Sequence, residues 1–566
     1  MSCLAEYERW LAAGNLTAEE RAELESIRGN EDEIRERFFA PLSFGTAGLR
    51  GLMGPGIRRM NGHVVRQATR ALGTLILQQP GLAEAGAVVC CDCRNHSMEY
   101  ARDAARVLAA MGIRVRLFED LRPTPELSFA IRYWGAAAGI NITASHNPKE
   151  YNGYKVYWSD GAQLPPEQAA RVAEAMEEID VLADLPMAPL SDGRIRRIGR
   201  ETDEAFLSAA LAQSLLPEAV EKAGLKIVYT PFNGAGAKLV PEGLARLGVR
   251  DLCCVEEQMA PDGDFPTCGN PNPEFEIGFE RALLLAKREG ANLIIGTDPD
   301  ADRLGLMVRD GAGEYRLLSG NQAGVLFLDY LFLARREKGS LPERPVVLKS
   351  VVSTEMARAV AEHYGAELED TFTGFKFLAE RMKQHETDGK TVLFAFEEAI
   401  GYAFGTAVRD KDAVTAAMMA AEMASFHALR GKTLLDRLEE LYALLGRFEE
   451  KTVSLVMPGV DGIARMQALM ERLRREPPET LAGEAVLRVR DYLTGESRSQ
   501  EGKAEPLPMK GADMLYFDLA SGSAFIIRPS GTEPKVKCYL LVRGADRASC
   551  EGRLSALEAY AEGLGQ

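Results

Sequence analysis

The residues best suited to chemistry lie in short polar loops that directly follow apolar runs. Thr143-Ala144-Ser145-His146-Asn147-Pro148 follows the run 137–142. That run reads as a buried strand, and Asn-Pro closes the loop behind the serine. A serine just past a strand end lies where α/β sheets keep their chemistry. It can carry a covalent group if something activates it. A second apolar run, 292–295, leads into Gly296-Thr297-Asp298-Pro299-Asp300-Ala301-Asp302-Arg303. Three carboxylates at alternating positions can converge on one hard cation, and oxygen ligands suit Mg²⁺. An EF-hand would need Gly and Glu where this chain has Arg303 and Arg309, so that calcium loop is excluded. Arg303 beside a metal points to an anionic ligand shared between them, for which phosphate fits best.

Further loops extend the pattern. Arg528-Pro529-Ser530-Gly531-Thr532 offers a guanidinium, hydroxyls and free backbone N–H groups, the donors a phosphate needs. Phe396-Glu397-Glu398-Ala399-Ile400-Gly401 puts carboxylates at a strand end, where they can accept hydrogen bonds from sugar hydroxyls. The glycine-rich loop 42–51 contains Arg50, a further phosphate contact, but lacks the Gly-Lys-Ser/Thr of a Walker loop. Lys155 could serve as a general base if its pKa were lowered. His146 is expected to order the loop or touch phosphate, because neighbouring side chains diverge in an extended segment. Cys91-x-Cys93 lacks a second pair at zinc spacing and reads as inert thiols. Together these loops suggest phosphoryl transfer to and from a sugar, with Ser145 as the carrier.

The elements that must position these loops are those of several domains, since 566 residues exceed one core. Residues 1–40 read as an acidic helical extension. Strands and helices then alternate to about residue 445, which implies a mainly parallel α/β architecture. The C-terminal part carries close-spaced strands over 514–519, 524–527 and 536–542 and a helix from 545 to about 562, an α+β pattern. A net charge of −16 argues against a nucleic-acid surface. No apolar run of about 18 residues predicts a membrane span, and the N-terminus has no signal core. An odd count of nine cysteines fits reduced thiols and a cytoplasmic location.

The four motifs around Ser145, Asp298-Asp300-Asp302, Glu397 and Arg528 occur in the order seen in the α-D-phosphohexomutase superfamily, which this sequence resembles from about residue 40 onward. The resemblance implies three similar mixed-sheet α/β domains plus a C-terminal α+β domain around a central cleft. With it, domain I spans 41–205, domain II 206–318, domain III 319–445 and domain IV 446–566. It implies that Ser145 is the phosphorylated serine, and that Asp298, Asp300 and Asp302 hold Mg²⁺ together with a phosphate oxygen on Ser145. Arg303 would contact the phosphoserine, and Lys155 sits at the place of a candidate general base. Arg50, Thr373, Glu397 and Lys411 would contact the sugar or its phosphate. Arg528, Ser530, Gly531 and Thr532 would hold the phosphate that is not transferred. The family's sugar loop commonly has serine where this chain has Ala399, and its metal loop commonly has glycines where this chain has Pro299 and Ala301. The segment 149–158 resembles the branch of α-phosphoglucomutases, phosphopentomutases and a glucose-1,6-bisphosphate synthase.

The expected reaction interconverts glucose 1-phosphate and glucose 6-phosphate through phospho-Ser145, with glucose 1,6-bisphosphate as intermediate and activator. The C-terminal turn would release and regrip, so domain IV is expected to move. Phosphopentomutase, phosphomannomutase and bisphosphate synthase activities use the same scaffold. A phosphatase with Asp298 as nucleophile and Asp300 as acid would leave Ser145 and Arg528 unused. A phosphosugar-binding protein without turnover is the non-enzymatic alternative. The expected partners are small phosphosugars, with neither nucleic acid nor membrane, and the expected state is a monomer or weak homo-oligomer.

Overall fold

The computed structural model describes residues 2–45, 48–457, 461–530 and 535–565. The chain forms two compact units. One comprises Met1–Ser319, Ala379–Ala395 and Ala399–Thr433, the other Gly320–Leu378, Phe396–Glu398 and Leu434–Gln566.

The first unit contains two sheets of one design. The first runs Leu49–Leu52, Tyr151–Trp158, Ala138–Ile142, Ala87–Cys91, Val115–Phe118 and Ile195–Ile198. Its last four strands are parallel, and the first two join antiparallel. The second runs Tyr315–Leu317, Leu304–Arg309, Leu293–Thr297, Lys226–Thr230 and Asp251–Cys254, again with antiparallel strands on one side only. Both sheets are therefore mixed rather than mainly parallel. The reason is loop length: only residues 298–303 separate Leu293–Thr297 from Leu304–Arg309. A parallel return needs a crossover of a dozen residues or more. The chain doubles back at once, and the same short return follows Ala138–Ile142. Both loops of chemical interest thus cap a hairpin. The strands leading into them, Ala138–Ile142 and Leu293–Thr297, are buried along their whole length, as central strands of covered sheets must be.

Helices cover the sheets. Gly62–Leu77 starts at Asn61, whose Oδ1 accepts the Val64 N–H at 3.0 Å. It buries Val64, Ala68 and Leu72, and a Leu or Val so placed contributes about 1.5–3 kcal/mol. The N-terminal segment forms three helices, Cys3–Leu11, Ala18–Ser26 and Glu31–Phe38. Tyr7, Trp10 and Phe38 enter the same core as Val64 and Ala68. Trp10 is fully buried and meets the His63 ring edge-on at 5.4 Å.

In the second unit, Pro345–Ser350 pairs in parallel with Glu367–Thr371. The C-terminal part is an antiparallel sheet running Arg447–Val456, Lys535–Gly544, Ala524–Pro529, Leu515–Leu519, Glu484–Asp491, Glu496–Ser499 and Ala504–Pro506. Gly462–Arg475 and Arg547–Leu564 cover it, packing Met466, Leu473 and Leu557 on Phe517, Phe525 and Leu540. Among the described residues no helix is long and apolar enough to cross a membrane.

Candidate active site

The first unit brings Ser145, His146, Lys155, Asp298, Asp300, Asp302, Arg303 and Lys411 together. Ser145 has φ of +52°, in the left-handed region that L-residues other than Asn and Asp rarely enter. Thr143 Oγ1 accepts the Ser145 N–H at 2.8 Å and holds this bend. The Ser145 hydroxyl donates to Asp298 Oδ2 at 2.6 Å. The bend also turns His146 back, so its Nδ1 lies 3.3 Å from Ser145 Oγ. The two side chains converge where an extended segment would have spread them. Burial, then the nearby Arg303 and Arg50 guanidinium groups, push His146 well below its ordinary pKa. The imidazole is therefore neutral.

The three aspartates are almost wholly buried and share a division of labour. Asp298 Oδ1 accepts the N–H groups of Asp302 and Arg303, both at 3.0 Å. Asp300 Oδ2 accepts Thr124 Oγ1 at 2.6 Å and Lys155 Nζ at 2.7 Å. Asp302 Oδ2 faces Lys155 Nζ at 3.3 Å and Lys411 Nζ at 3.2 Å. Asp300 Oδ1 and Asp302 Oδ1 are buried and, among the described residues, accept no hydrogen bond. One carboxylate oxygen from each residue lies within 4.8 Å of the others. Such orphaned acceptors are costly unless a ligand satisfies them, and an all-oxygen donor set suits a hard divalent cation. Ala301 adopts φ of +50° to turn this loop, where a glycine would carry no steric penalty.

Charge balance differs among the carboxylates. Burial, with the charges of Asp300 and Asp302, pushes Asp298 well up. Burial would also raise Asp300, but Lys155 holds it well below the usual carboxylate range. Burial would lower the Lys155 ammonium, yet Asp300 and Asp302 raise it above its ordinary value. Lys155 is thus charged in this arrangement, contrary to the lowered pKa that a resting general base requires.

Other predicted residues are placed as follows. Arg303 Nη1 donates to the Ala399 carbonyl at 3.0 Å. Arg50 lies in Leu49–Leu52 opposite Gly153 and donates to Asn147 Oδ1 at 3.2 Å. Lys411 passes over Gly401, where a Cβ would meet its side chain at 2.3 Å, so only glycine fits. Cys91 and Cys93 belong to no cluster able to hold a metal among the described residues.

The second unit holds Thr373, Glu397, Arg528 and Ser530. Glu397 Oε1 accepts the Gly374 N–H at 2.6 Å. Glu398 Oε2 accepts Ser350 Oγ at 2.9 Å and Ser353 Oγ at 3.2 Å. Thr373 Oγ1 is buried without a hydrogen-bond partner among the described residues. Arg528 lies on Ala524–Pro529, and burial first, then the nearby Glu398 charge, pushes the Tyr539 hydroxyl up, which Arg528 opposes. The Ser530 N–H donates to the Lys535 carbonyl at 2.7 Å. Gly531 and Thr532 lie outside the described residues.

Two supporting residues escaped the sequence reading. Arg94 donates to the carbonyls of Ser145 at 2.6 Å, Pro148 at 2.8 Å and Tyr151 at 2.9 Å, and also to that of Asn147. Its side chain is fully buried. An arginine three residues past the end of the apolar strand Ala87–Cys91 was the available signal. Thr124, at the start of the helix Thr124–Trp134, is the other.

Residues 41–182, 204–311 and 319–445 match domains I, II and III of the phosphoglucomutase/phosphomannomutase alpha/beta/alpha models. The chain belongs to the phosphoglucomutase/phosphomannomutase family of the α-D-phosphohexomutase superfamily, and it is an isomerase of the phosphomutase type. It is 35% identical over 531 residues to a phosphoglucomutase of Staphylococcus aureus (strain MRSA252), covering 93% of this chain and 94% of that one. Its fold is shared with a phosphoglucomutase/phosphomannomutase family protein from Burkholderia thailandensis, at TM-score 0.68 and 18% identity over 92% of this chain and 97% of that one. Parafusin, a phosphoglucomutase from Paramecium, matches at TM-score 0.66 and 16% identity over 93% of this chain and 95% of that one. The expected architecture of three α/β domains and a β-rich fourth is borne out.

Proposed function

We propose that this chain is an α-phosphoglucomutase that interconverts glucose 1-phosphate and glucose 6-phosphate through phospho-Ser145 and glucose 1,6-bisphosphate. The observation that carries this reading is the Ser145 hydroxyl 2.6 Å from Asp298 Oδ2, beside two carboxylate oxygens that accept no hydrogen bond among the described residues. The 35% identity to a phosphoglucomutase supports the choice of glucose.

The residues present fit a divalent cation, with Mg²⁺ the expected one. Asp298, Asp300 and Asp302 would hold it together with an oxygen on phospho-Ser145. Bound there, it would neutralise charge on the transferring phosphoryl group. Arg303 and Arg50 supply fixed positive charge for the phosphoryl oxygens. Neutral His146 can donate to or accept from the group on Ser145 Oγ. Lys155 stands ready to exchange a proton with the sugar hydroxyl, once the carboxylates that hold its proton are otherwise engaged. Lys411, Thr373 and Glu397 are assigned to the sugar. Arg528 and Ser530, with Gly531 and Thr532, are assigned to the phosphate at rest. We divide the chain at 41–205, 206–318, 319–445 and 446–566, one task to each segment. Nine free cysteines fit a reducing cytoplasm.

The test is a coupled assay of kcat/KM for glucose 1-phosphate, mannose 1-phosphate and ribose 1-phosphate, with S145A alongside. Glucose 1-phosphate should lead. S145A should lose on the order of 10⁴-fold or more in kcat, as when a covalent nucleophile is removed. A tenfold preference for ribose would change the sugar but not the chemistry. Full activity of S145A with the bisphosphate supplied would refute the phosphoserine.

A further inference from the structure

Asp300 is anchored by a residue from a helix that packs on the other sheet of its unit. Thr124 begins the helix Thr124–Trp134, which has no side-chain cap of its own. Its N–H donates to the Asp300 carbonyl at 2.8 Å. Its hydroxyl donates to Asp300 Oδ2 at 2.6 Å. The same hydroxyl accepts Asn141 Nδ2 at 2.6 Å. Thr124, Asn141 and Asp300 are all fully buried. Asn141 lies on the strand Ala138–Ile142 that leads to Ser145, opposite Lys155 on the next strand.

The direction of these bonds matters. A hydroxyl has one proton to give. Because Asn141 donates to Thr124, that proton is committed to Asp300. Among the described residues Asn141 Oδ1 is left buried without a hydrogen-bond partner, an arrangement that costs stability. Thr124 and Lys155 together saturate Asp300 Oδ2, so Oδ1 is the oxygen left to bind a cation.

We propose that Thr124 is a positioning residue of the cation site: relayed by Asn141, it fixes the Asp300 carboxylate so that one chosen oxygen faces the metal. The relay ties the strand carrying Ser145 to the loop carrying the metal ligands. This rests on the reading that Asp298, Asp300 and Asp302 bind a divalent cation.

The experiment is a Mn²⁺ titration of the full chain without sugar, followed by electron paramagnetic resonance. It compares the parent, T124V, T124S and D300N. T124V, nearly the same shape without the hydroxyl, should bind Mn²⁺ about 10–100-fold more weakly, the usual effect of removing an outer partner of a metal ligand. T124S should stay within about threefold of the parent, since it restores the hydroxyl. In the mutase assay, the Mg²⁺ needed for half the maximal rate should rise in T124V, and saturating Mg²⁺ should restore most of kcat. Should T124V fail to fold, T124A carries the same expectation. Parent-like Mn²⁺ binding by T124V, or equal loss in T124S and T124V, would overturn the role of Thr124 and leave the cation site standing. A parent protein that takes up no more Mn²⁺ than D300N would overturn the cation site itself, and this proposal with it.

Discussion

Ser145, Asp298, Asp300 and Asp302 in the first unit are each at most 3% exposed and are bonded to one another or to buried neighbours. Arg528 and Ser530 in the second unit are only half-buried, on a hairpin of an antiparallel sheet. The difference fits the roles proposed for the two sets. A transferring phosphoryl group needs fixed charge in a dry place, where electrostatic stabilisation is largest. A phosphate that must be gripped and released needs charge that water can reach.

That comparison can be broken or sharpened by substitution. Short of removing Ser145 itself, the largest effect should come from R94K. Lysine cannot reach the carbonyls of Ser145, Asn147, Pro148 and Tyr151 with one ammonium, so Ser145 should lose its left-handed pose. A misplacement of about 1 Å costs roughly 10²-fold, and steady-state kinetics should show this in kcat with KM little changed. Equal loss in kcat and KM would show that Arg94 serves binding instead. R528Q should do the reverse. Losing one charge-assisted contact worth about 1.5–3 kcal/mol should raise KM for glucose 1-phosphate about 10–100-fold. A kcat defect as large as that of R94K would erase the distinction between the two sets.

The smallest effect concerns Asp412, a buried carboxylate of the first unit that caps the helix Ala413–Ala428 through the Val414 and Thr415 N–H groups. Burial raises it to about 6, although its hydrogen bonds with Thr415 and Val414 pull it down. The folded state therefore keeps a proton that the unfolded chain releases near pH 4. Its stabilising contribution is complete below about pH 4, falls as pH rises through 6, and is flat above that. The loss amounts to at most about 3 kcal/mol. Asp412→Asn cannot ionise, so its Tm should climb relative to the parent between pH 4 and 7, read by scanning calorimetry. A constant difference across that range would show that Asp412 is paired more like Asp300 than its neighbours indicate.

The parts legible in the sequence were those written locally. Ser145 and Asp298 follow runs that are apolar because their strands are covered on both faces, so strand end and polar loop could be read together. The helices over 166–177 and 413–428 were legible from their apolar spacing. Lys155 was placed by resemblance, and its charge state depends on Asp300 and Asp302, more than 140 residues away. His146 was read as pointing away, because the φ of Ser145 is set by Thr143 and Arg94 rather than by the serine itself. Arg94 and Thr124 act on backbone carbonyls and on a carboxylate from distant segments, and no spacing rule reports such contacts.

Trp10 adds a consequence for where this protein can be cut. The family match begins at residue 41, yet the indole that seals the first core comes from before it. Removing that ring opens a hole whose cost, about 3–5 kcal/mol for a buried Trp lost from a core, rivals the entire margin of a small domain. The homology boundary is thus not a seam of the molecule: on the third leading helix, the Arg37 carbonyl accepts the Arg58 N–H at 3.0 Å, which ties the helix to the chain beyond that boundary.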